Sequence, residues 1–390
     1  MKVLILGGDG YLGWPTAMHL AARKHEVMVV DNYLRRTLAF QTRSESLLPN
    51  PNLEQRADLF EKKTGHKIDV CIGDITDYEF LRTLVADFCP DGLVHYAEQP
   101  SAPYSMRGHG EAALTLKNNL MTTLNVVWAV MQERPGCQIV KLGTMGEYGT
   151  PNIDIEEGWI DLEHKGRKDR FLFPRQAGSL YHTTKIMDTD LLWFYVRMAN
   201  LRVTDLMQGP VYGLTTPEAE LDNELMPSFH YDDIFGTVIN RFLVQAVAGI
   251  PLTVYGKGDQ VRGYLNLNDT LQCVTLALEE PAQAGDLRIF NQFTETFTVN
   301  ELAERVVCAA QRLDIQVAIS HVSNPRKEAE DHYYNPMRHG LVELGFKPQK
   351  LTDEVVMDML RTIEQYKARI DTCIVQPRVT WGCHRSGELN

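Results

Sequence analysis

Lys2-Val3-Leu4-Ile5-Leu6-Gly7-Gly8-Asp9-Gly10-Tyr11-Leu12-Gly13 decides the fold, because a short apolar run passes directly into glycines at 7, 10 and 13. Pro15 to Lys24 then shows the helical spacing of Ala17, Leu20 and Ala21, and a proline is tolerated in a first helical turn. Val27 to Val30 reads as a second strand that ends in Asp31. A strand, glycine turn, helix, strand and acid in this order form a dinucleotide-binding unit. The glycines let backbone approach a pyrophosphate at the helix N-terminus, and the acid accepts from ribose hydroxyls. A carboxylate there would repel a 2′-phosphate, so NAD rather than NADP is expected. Gly7, Asp9, Gly10, Tyr11, Leu12 and Gly13 are placed at the cofactor, with Asp31, Asn32, Arg35 and Arg36.

Working outward, a polar and helical insertion runs from Arg35 to Lys67, before a third strand at Asp69 to Ile72. Gly73-Asp74-Ile75 ends that strand, where Asp74 can meet an adenine amino group. Gly92 to Tyr96 is a fourth strand running into Ala97-Glu98-Gln99, Asn118 to Met131 a helix, and Cys137 to Leu142 a fifth strand leading to Thr144. Arg202 to Leu206 is a sixth. Strands alternating with helices predict an α/β fold with a doubly wound parallel sheet of Rossmann type. Ile75, Tyr96, Ala97 and Asn118 join the cofactor set, as do Tyr181 and Lys185 further along. After Gly209 the texture changes, with an irregular acidic stretch, a helix at Asp233 to Gly249 and a strand-like region at Pro251 to Leu267. The expected division is a nucleotide-binding domain over 1–208, with segments about 232–249 and 268–292 returning to it. A smaller interleaved lobe takes 209–231, 250–267 and 293–390 and covers the substrate.

Tyr181-His182-Thr183-Thr184-Lys185 places a Tyr and a Lys on one helix face. An ammonium beside a phenol favours the phenolate, so Tyr181 is expected to have a lowered pKa and to act as a base. With the glycine turn and Thr144 upstream, these residues mark a nicotinamide-dependent enzyme that oxidises an alcohol carbon. A non-catalytic dinucleotide sensor would have no need of Thr144, Tyr181 and Lys185 together.

At 390 residues, with 44% hydrophobic and 23% charged residues, the composition is that of a soluble globular chain. No apolar run approaches a membrane span, and the strand-like first residues leave no room for a signal peptide. Seven cysteines without a CxxC pair predict reduced thiols and a cytoplasmic setting, and no metal is expected. A net charge of −12 argues against nucleic-acid binding and leaves a phosphate-bearing substrate to a few local arginines.

These residues together resemble the extended short-chain dehydrogenase/reductase family acting on nucleotide sugars. In that family an Arg after a Gly-rich turn grips the substrate pyrophosphate, which points to Arg262 after Gly256-Lys257-Gly258, and Arg326 resembles a second. Longer strings resemble the UDP-sulfoquinovose synthases, which make a sulfosugar from UDP-glucose and sulfite. They are Glu98-Gln99 with Ser101 to Met106, Lys141 to Gly158, Phe290 to Glu295, and Glu330-Asp331-His332-Tyr333-Tyr334-Asn335. The chain departs from plant-type members at Pro100 and at Met226-Pro227-Ser228-Phe229, where basic residues are expected.

The resemblance implies that NAD oxidises the sugar at C4, with Tyr181 taking the O4 proton, Lys185 tuning it and Thr144 hydrogen-bonding O4. Water is then lost across C5 and C6 to a 4-keto-5,6-ene, sulfite adds at C6, and C4 is reduced again. Sugar 4,6-dehydratases carry an Asp-Glu pair where this chain has Met145-Gly146, so His182 and Glu147 are the acid–base candidates for C5 and C6. His95 is expected to support the loop near the cofactor. Gln99, Ser101, Tyr104, Met145, Gln208, Tyr255, Gln260, Arg262 and Arg326 are expected at the substrate. The implied partners are a UDP-glucose-like nucleotide sugar, sulfite, and a second copy of the chain, as a homodimer or dimer of dimers. The second reading is a divergent NAD-dependent 5,6-dehydratase or epimerase acting on another nucleotide sugar or a nucleoside, without sulfite.

Overall fold

A computed structural model describes residues 1–326, 332–379 and 381. Glu330 and Asp331 of the acidic motif and Cys383 lie outside these residues.

Seven strands form one parallel sheet: β1 (Lys2–Leu6), β2 (Glu26–Asp31), β3 (Ile68–Ile72), β4 (Gly92–His95), β5 (Gln138–Thr144), β6 (Arg202–Gln208) and β7 (Asp286–Gln292). Their order across the sheet is β7-β6-β5-β4-β1-β2-β3. The strand order reverses between β1 and β4, which are hydrogen-bonded neighbours from Val3 opposite Gly92 to Leu6 opposite His95. In such sheets a crevice opens outside the carboxyl ends of the strands at the reversal. β1 reads as an unbroken apolar run because both its faces are covered. Val3 and Ile5 enter one apolar core with Trp14, Ala17 and Leu20 of the helix Gly13–Ala22, while Leu4 and Leu6 enter a second with Leu93, Val126 and Val130.

β7 is a strand that the periodicity does not expose, since Asp286, Arg288, Asn291 and Gln292 interrupt its apolar residues. It pairs with β6 over its whole length, from Asp286 opposite Arg202 to Gln292 opposite Gln208. The antiparallel hairpin Trp159–His164 with Arg167–Leu172 is equally hidden, because it is charged on both faces and stands out from the body. The expected helix from Asp233 begins instead at Val238 and runs to Ala248, because Asp232 accepts from the backbone of Ile234 and Phe235 and closes a turn. That helix, expected to return to the sheet, packs against the helices Val299–Gln311 and Asp353–Glu364. Short strands Val211–Tyr212, Val261–Asn266 and Glu295–Thr298 make a small sheet, and Leu252–Tyr255 pairs with Ile319–Val322. Among the described residues no helix is long and apolar enough to cross a membrane.

Candidate active site

The carboxyl ends of β1 to β6 open into one cleft of about 720 Å³, walled on its far side by residues after Gly209. The glycine turn shapes its floor. Gly7 has φ +88°, and a Cβ there would lie 2.8 Å from Ala97 N. A Cβ at Gly13 would lie 2.0 Å from Gly7 O, so helix and strand could not meet. At Gly10 a Cβ would touch only Gly7 O, at 3.4 Å, and would otherwise project into open space of the cleft. The helix Gly13–Ala22 carries no side-chain cap; Trp14 N and Thr16 N donate to Gly10 O and Leu12 O and Pro15 has no N–H, which leaves Gly13 N at the helix start for an anion. At the end of β2 the Asp31 carboxylate lines the cleft and accepts from Asp9 N at 2.9 Å and Tyr33 N at 2.7 Å. Burial, then the nearby Asp9, pushes it up to about 6. Asn32, Arg35, Asp74, Ile75, Tyr96, Ala97 and Asn118 complete a wall that fits an adenine, a diribose and a pyrophosphate.

Two residues expected at the cofactor are used elsewhere. Asp9 turns away from the cleft and is 3% exposed, held by Arg36 at 2.6 Å and by the fully buried Arg56 at 2.5 Å. Arg36 also donates to Asn50 O and Pro51 O, so its guanidinium is consumed by the fold. A carboxylate so close to an anion site needs such neutralisation, and the polar insertion supplies it from the helices Leu34–Gln41 and Leu53–Thr64. Arg35 does reach the cleft, stacked 3.5 Å over the Phe235 ring.

The same cleft is lined by Thr144, Met145, Tyr181 and His182. Thr144 ends β5 and accepts from Gly146 N at 3.1 Å. Tyr181 and His182 open the helix Leu180–Ala199, whose cap Ser179 accepts from His182 N and lies 3.0 Å from His182 Nδ1. The imidazole fills the space over Gly146: a Cβ there would lie 2.4 Å from His182 Nε2. Burial, then Arg326 and Arg262, pushes His182 down to about 3, so it is a neutral acceptor at physiological pH.

The expected lowering of Tyr181 by Lys185 is not what the site contains. Lys185 lies below the phenol, its Nζ 5.9 Å from the ring centroid, ion-paired with Glu98 and donating to Leu142 O at 2.6 Å. Burial and then the Glu98 carboxylate hold the Tyr181 phenol above its usual range. Glu147 is also misplaced by the sequence reading. It is fully buried, its carboxylate facing Arg175 at 3.4 Å, Thr189 at 3.3 Å and Lys141 at 3.9 Å, away from the cleft. Its Oε1 accepts from Thr144 N at 3.4 Å, so it caps the turn that presents Thr144. Burial pushes it up to about 7. His95 is buried, its Nε2 3.6 Å from Glu98 Oε1, and burial pushes it down to about 4.

Gln99, Ser101, Gln208, Tyr255, Gln260, Arg262 and Arg326 also line the cleft. Tyr104 does not reach the cleft but stacks on Phe235, centroids 6.1 Å apart. Sequence reasoning missed Arg241, buried and 4.2 Å over the Tyr255 ring, and Trp381, whose ring lies 5.2 Å from the Arg326 guanidinium. Arg241 carried a signal, as the sole charge in the apolar helix Val238–Ala248.

The sequence model of the NAD dependent epimerase/dehydratase family matches residues 3–291. The chloroplastic UDP-sulfoquinovose synthase of Spinacia oleracea is 48% identical over 380 residues, 97% of this chain and 79% of that one. The UDP-sulfoquinovose synthase of Sulfolobus acidocaldarius is 44% identical over 384 residues, 98% of both chains. Among solved structures, the UDP-glucose 4-epimerase of Thermotoga maritima with UDP-glucose matches with a TM-score of 0.69. It is 19% identical and covers 94% of this chain and 99% of that one, a likeness of fold.

Proposed function

The chain belongs to the NAD dependent epimerase/dehydratase family, and from that premise we propose that it makes UDP-sulfoquinovose from UDP-glucose and sulfite, releasing water. The observation that carries the reading is a single cleft joining the NAD cradle to Thr144, Tyr181 and an imidazole seated over Gly146, in a chain similar over nearly its whole length to two such synthases. Bound NAD supplies the oxidising equivalent at C4 and returns it at the end of the cycle. Tyr181, in its phenolate form, takes the O4 proton and later gives it back, while Thr144 hydrogen-bonds O4. The ketone makes H5 acidic, and His182, neutral and adjacent, accepts that proton. The same group, now an acid, assists departure of the C6 hydroxyl. Sulfite then forms the C6–S bond of the 4-keto-5,6-ene, and a proton returns to C5. Arg262 and Arg326 hold the UDP pyrophosphate. Because their charges depress His182, that pyrophosphate also raises the imidazole's basicity when substrate arrives.

Lys185 sets the charge behind Tyr181, and Glu147 supports Thr144 from beneath. Residues 209–231, 250–267 and 293–390 serve as the substrate lobe, joined by the helix Val238–Ala248. A cytoplasmic setting accords with the described cysteines, all of which are free thiols. A homodimer is supported by Trp128, Met187, Phe194 and Met198, which stand exposed on the mutually packed helices His109–Glu133 and Leu180–Ala199. One observation favours a sulfite-free dehydratase instead: Pro100 lines the cleft without a charge. Mass spectrometry after incubation with UDP-glucose decides between them. A UDP-sulfosugar formed only when sulfite is present supports the synthase, whereas an unsaturated keto sugar unchanged by sulfite supports the dehydratase.

A further inference from the structure

Behind the Tyr181 phenol the site holds a carboxylate that C4 oxidation does not by itself require. Glu98 follows β4, lines the cleft with a side chain only 3% exposed, and is ion-paired with the Lys185 ammonium. On its other side that ammonium donates to Leu142 O of β5. Lys185 is therefore clamped between the ends of two neighbouring strands, and its reach toward the phenol is fixed by that clamp. An ammonium in contact with a carboxylate presents the phenol with a dipole rather than a full positive charge. We propose that Glu98 is a positioning residue for the redox step, holding Lys185 in place and setting how much of its charge the Tyr181 phenol feels.

Other charges face this group, and none replaces Glu98. Lys141 of β5, 3.9 Å from Glu147 and 3.8 Å from Asp205 of β6, also bears on the Tyr181 phenol and lowers it, but less than Glu98 raises it. Asp188, buried one turn further along the helix, is pushed well up by burial and then by Glu98, which favours its neutral form. His95, the other ring beside Glu98, is neutral for the reason given above. The Glu98 charge thus falls on Lys185, with which it is ion-paired, and directly on Tyr181, whose phenol it holds up. The assignment has a chemical sense. A cycle that removes and restores the O4 proton needs a phenol that gives the proton back, and a bare ammonium would leave it too acidic.

The inference rests on Tyr181 acting at C4, and one experiment separates the two. With UDP-glucose and no sulfite, a single turnover followed by enzyme-bound NADH absorbance reports C4 oxidation alone. Glu98→Gln keeps the side-chain shape and removes the negative charge, which lowers the phenol's pKa. The midpoint of the rising limb of its pH–rate profile should therefore fall by about one pH unit. Glu98→Asp should restore a profile close to wild type. If the amide disturbs folding, judged by circular dichroism and retained NAD, Glu98→Ser leaves room for water beside Lys185 and carries the same expectation. A profile that stays in place or moves upward, with wild-type enzyme active, overturns the inference. Wild-type enzyme that forms no NADH with UDP-glucose instead overturns the functional reading itself.

Discussion

At the scale of single residues, Gly146 and His182 depend on each other. The imidazole occupies the volume that any side chain at 146 would need, which explains why an acidic pair cannot stand after Thr144 in this chain. Gly146→Ala should therefore push His182 aside and behave like its removal. With UDP-glucose, bound NADH should still appear, while formation of later products falls by about a hundredfold or more, as loss of an acid–base group predicts. Product formation within a few-fold of wild type would remove His182 from the C5 and C6 steps. Asp31 gives a pH dependence of definite sign. If, as we propose, its charged form accepts from the ribose hydroxyls of NAD, then with its carboxyl pushed up to about 6 the NAD affinity should be constant above that pH. Below it, affinity should weaken by up to about tenfold per pH unit, the limiting slope for one proton. Calorimetric titration of apo-enzyme between mildly acidic and neutral pH tests this, and Asp31→Asn should flatten the profile.

At the scale of elements, the insertion between β2 and β3 is a buttress for the glycine turn. Arg36 and Arg56 come from its two helices and converge on Asp9, whose backbone N–H holds Asp31. Asp9→Asn would leave Arg56 fully buried without its charge partner, a change that costs about 3 kcal/mol or more. A fall in melting temperature of the cofactor-free protein, with weaker NAD binding, is the expected outcome; an unchanged melting temperature would mean that the arginines find other partners. Much of this layer was legible in the sequence. The glycine spacing, Asp31 and the Tyr–Lys pair are local patterns, and local geometry places them. Asp9, Arg36, Glu147 and Tyr104 misled because their directions are decided by residues far along the chain: Arg56 for Asp9, Arg175 and Thr189 for Glu147, Phe235 for Tyr104. The Tyr181 environment was misread for a related reason. The Tyr and Lys share a helix, but the carboxylate that holds the lysine comes from the end of another strand.

At the scale of the whole molecule, the helices His109–Glu133 and Leu180–Ala199 carry an apolar surface that a monomer would leave wet. Met198 is 69% exposed and Phe194 48%. Phe194→Glu should convert a dimer into a monomer in sedimentation experiments, with the cleft intact enough to retain NAD; a wild-type mass that the substitution does not change would place any interface elsewhere. The order of segments also has a consequence for how the protein comes into being. β7 closes the edge of the large sheet, yet it follows the whole stretch from Gly209 to Gly285 in the chain. A nascent chain leaving the ribosome therefore presents β6 with an open flank until residue 292 has emerged, and open strand edges invite pairing with the wrong partner. Fragments ending near residue 208 should accordingly be poorly soluble. Synthesis of this enzyme is then exposed to misassembly over the interval in which its substrate-covering segments are being made.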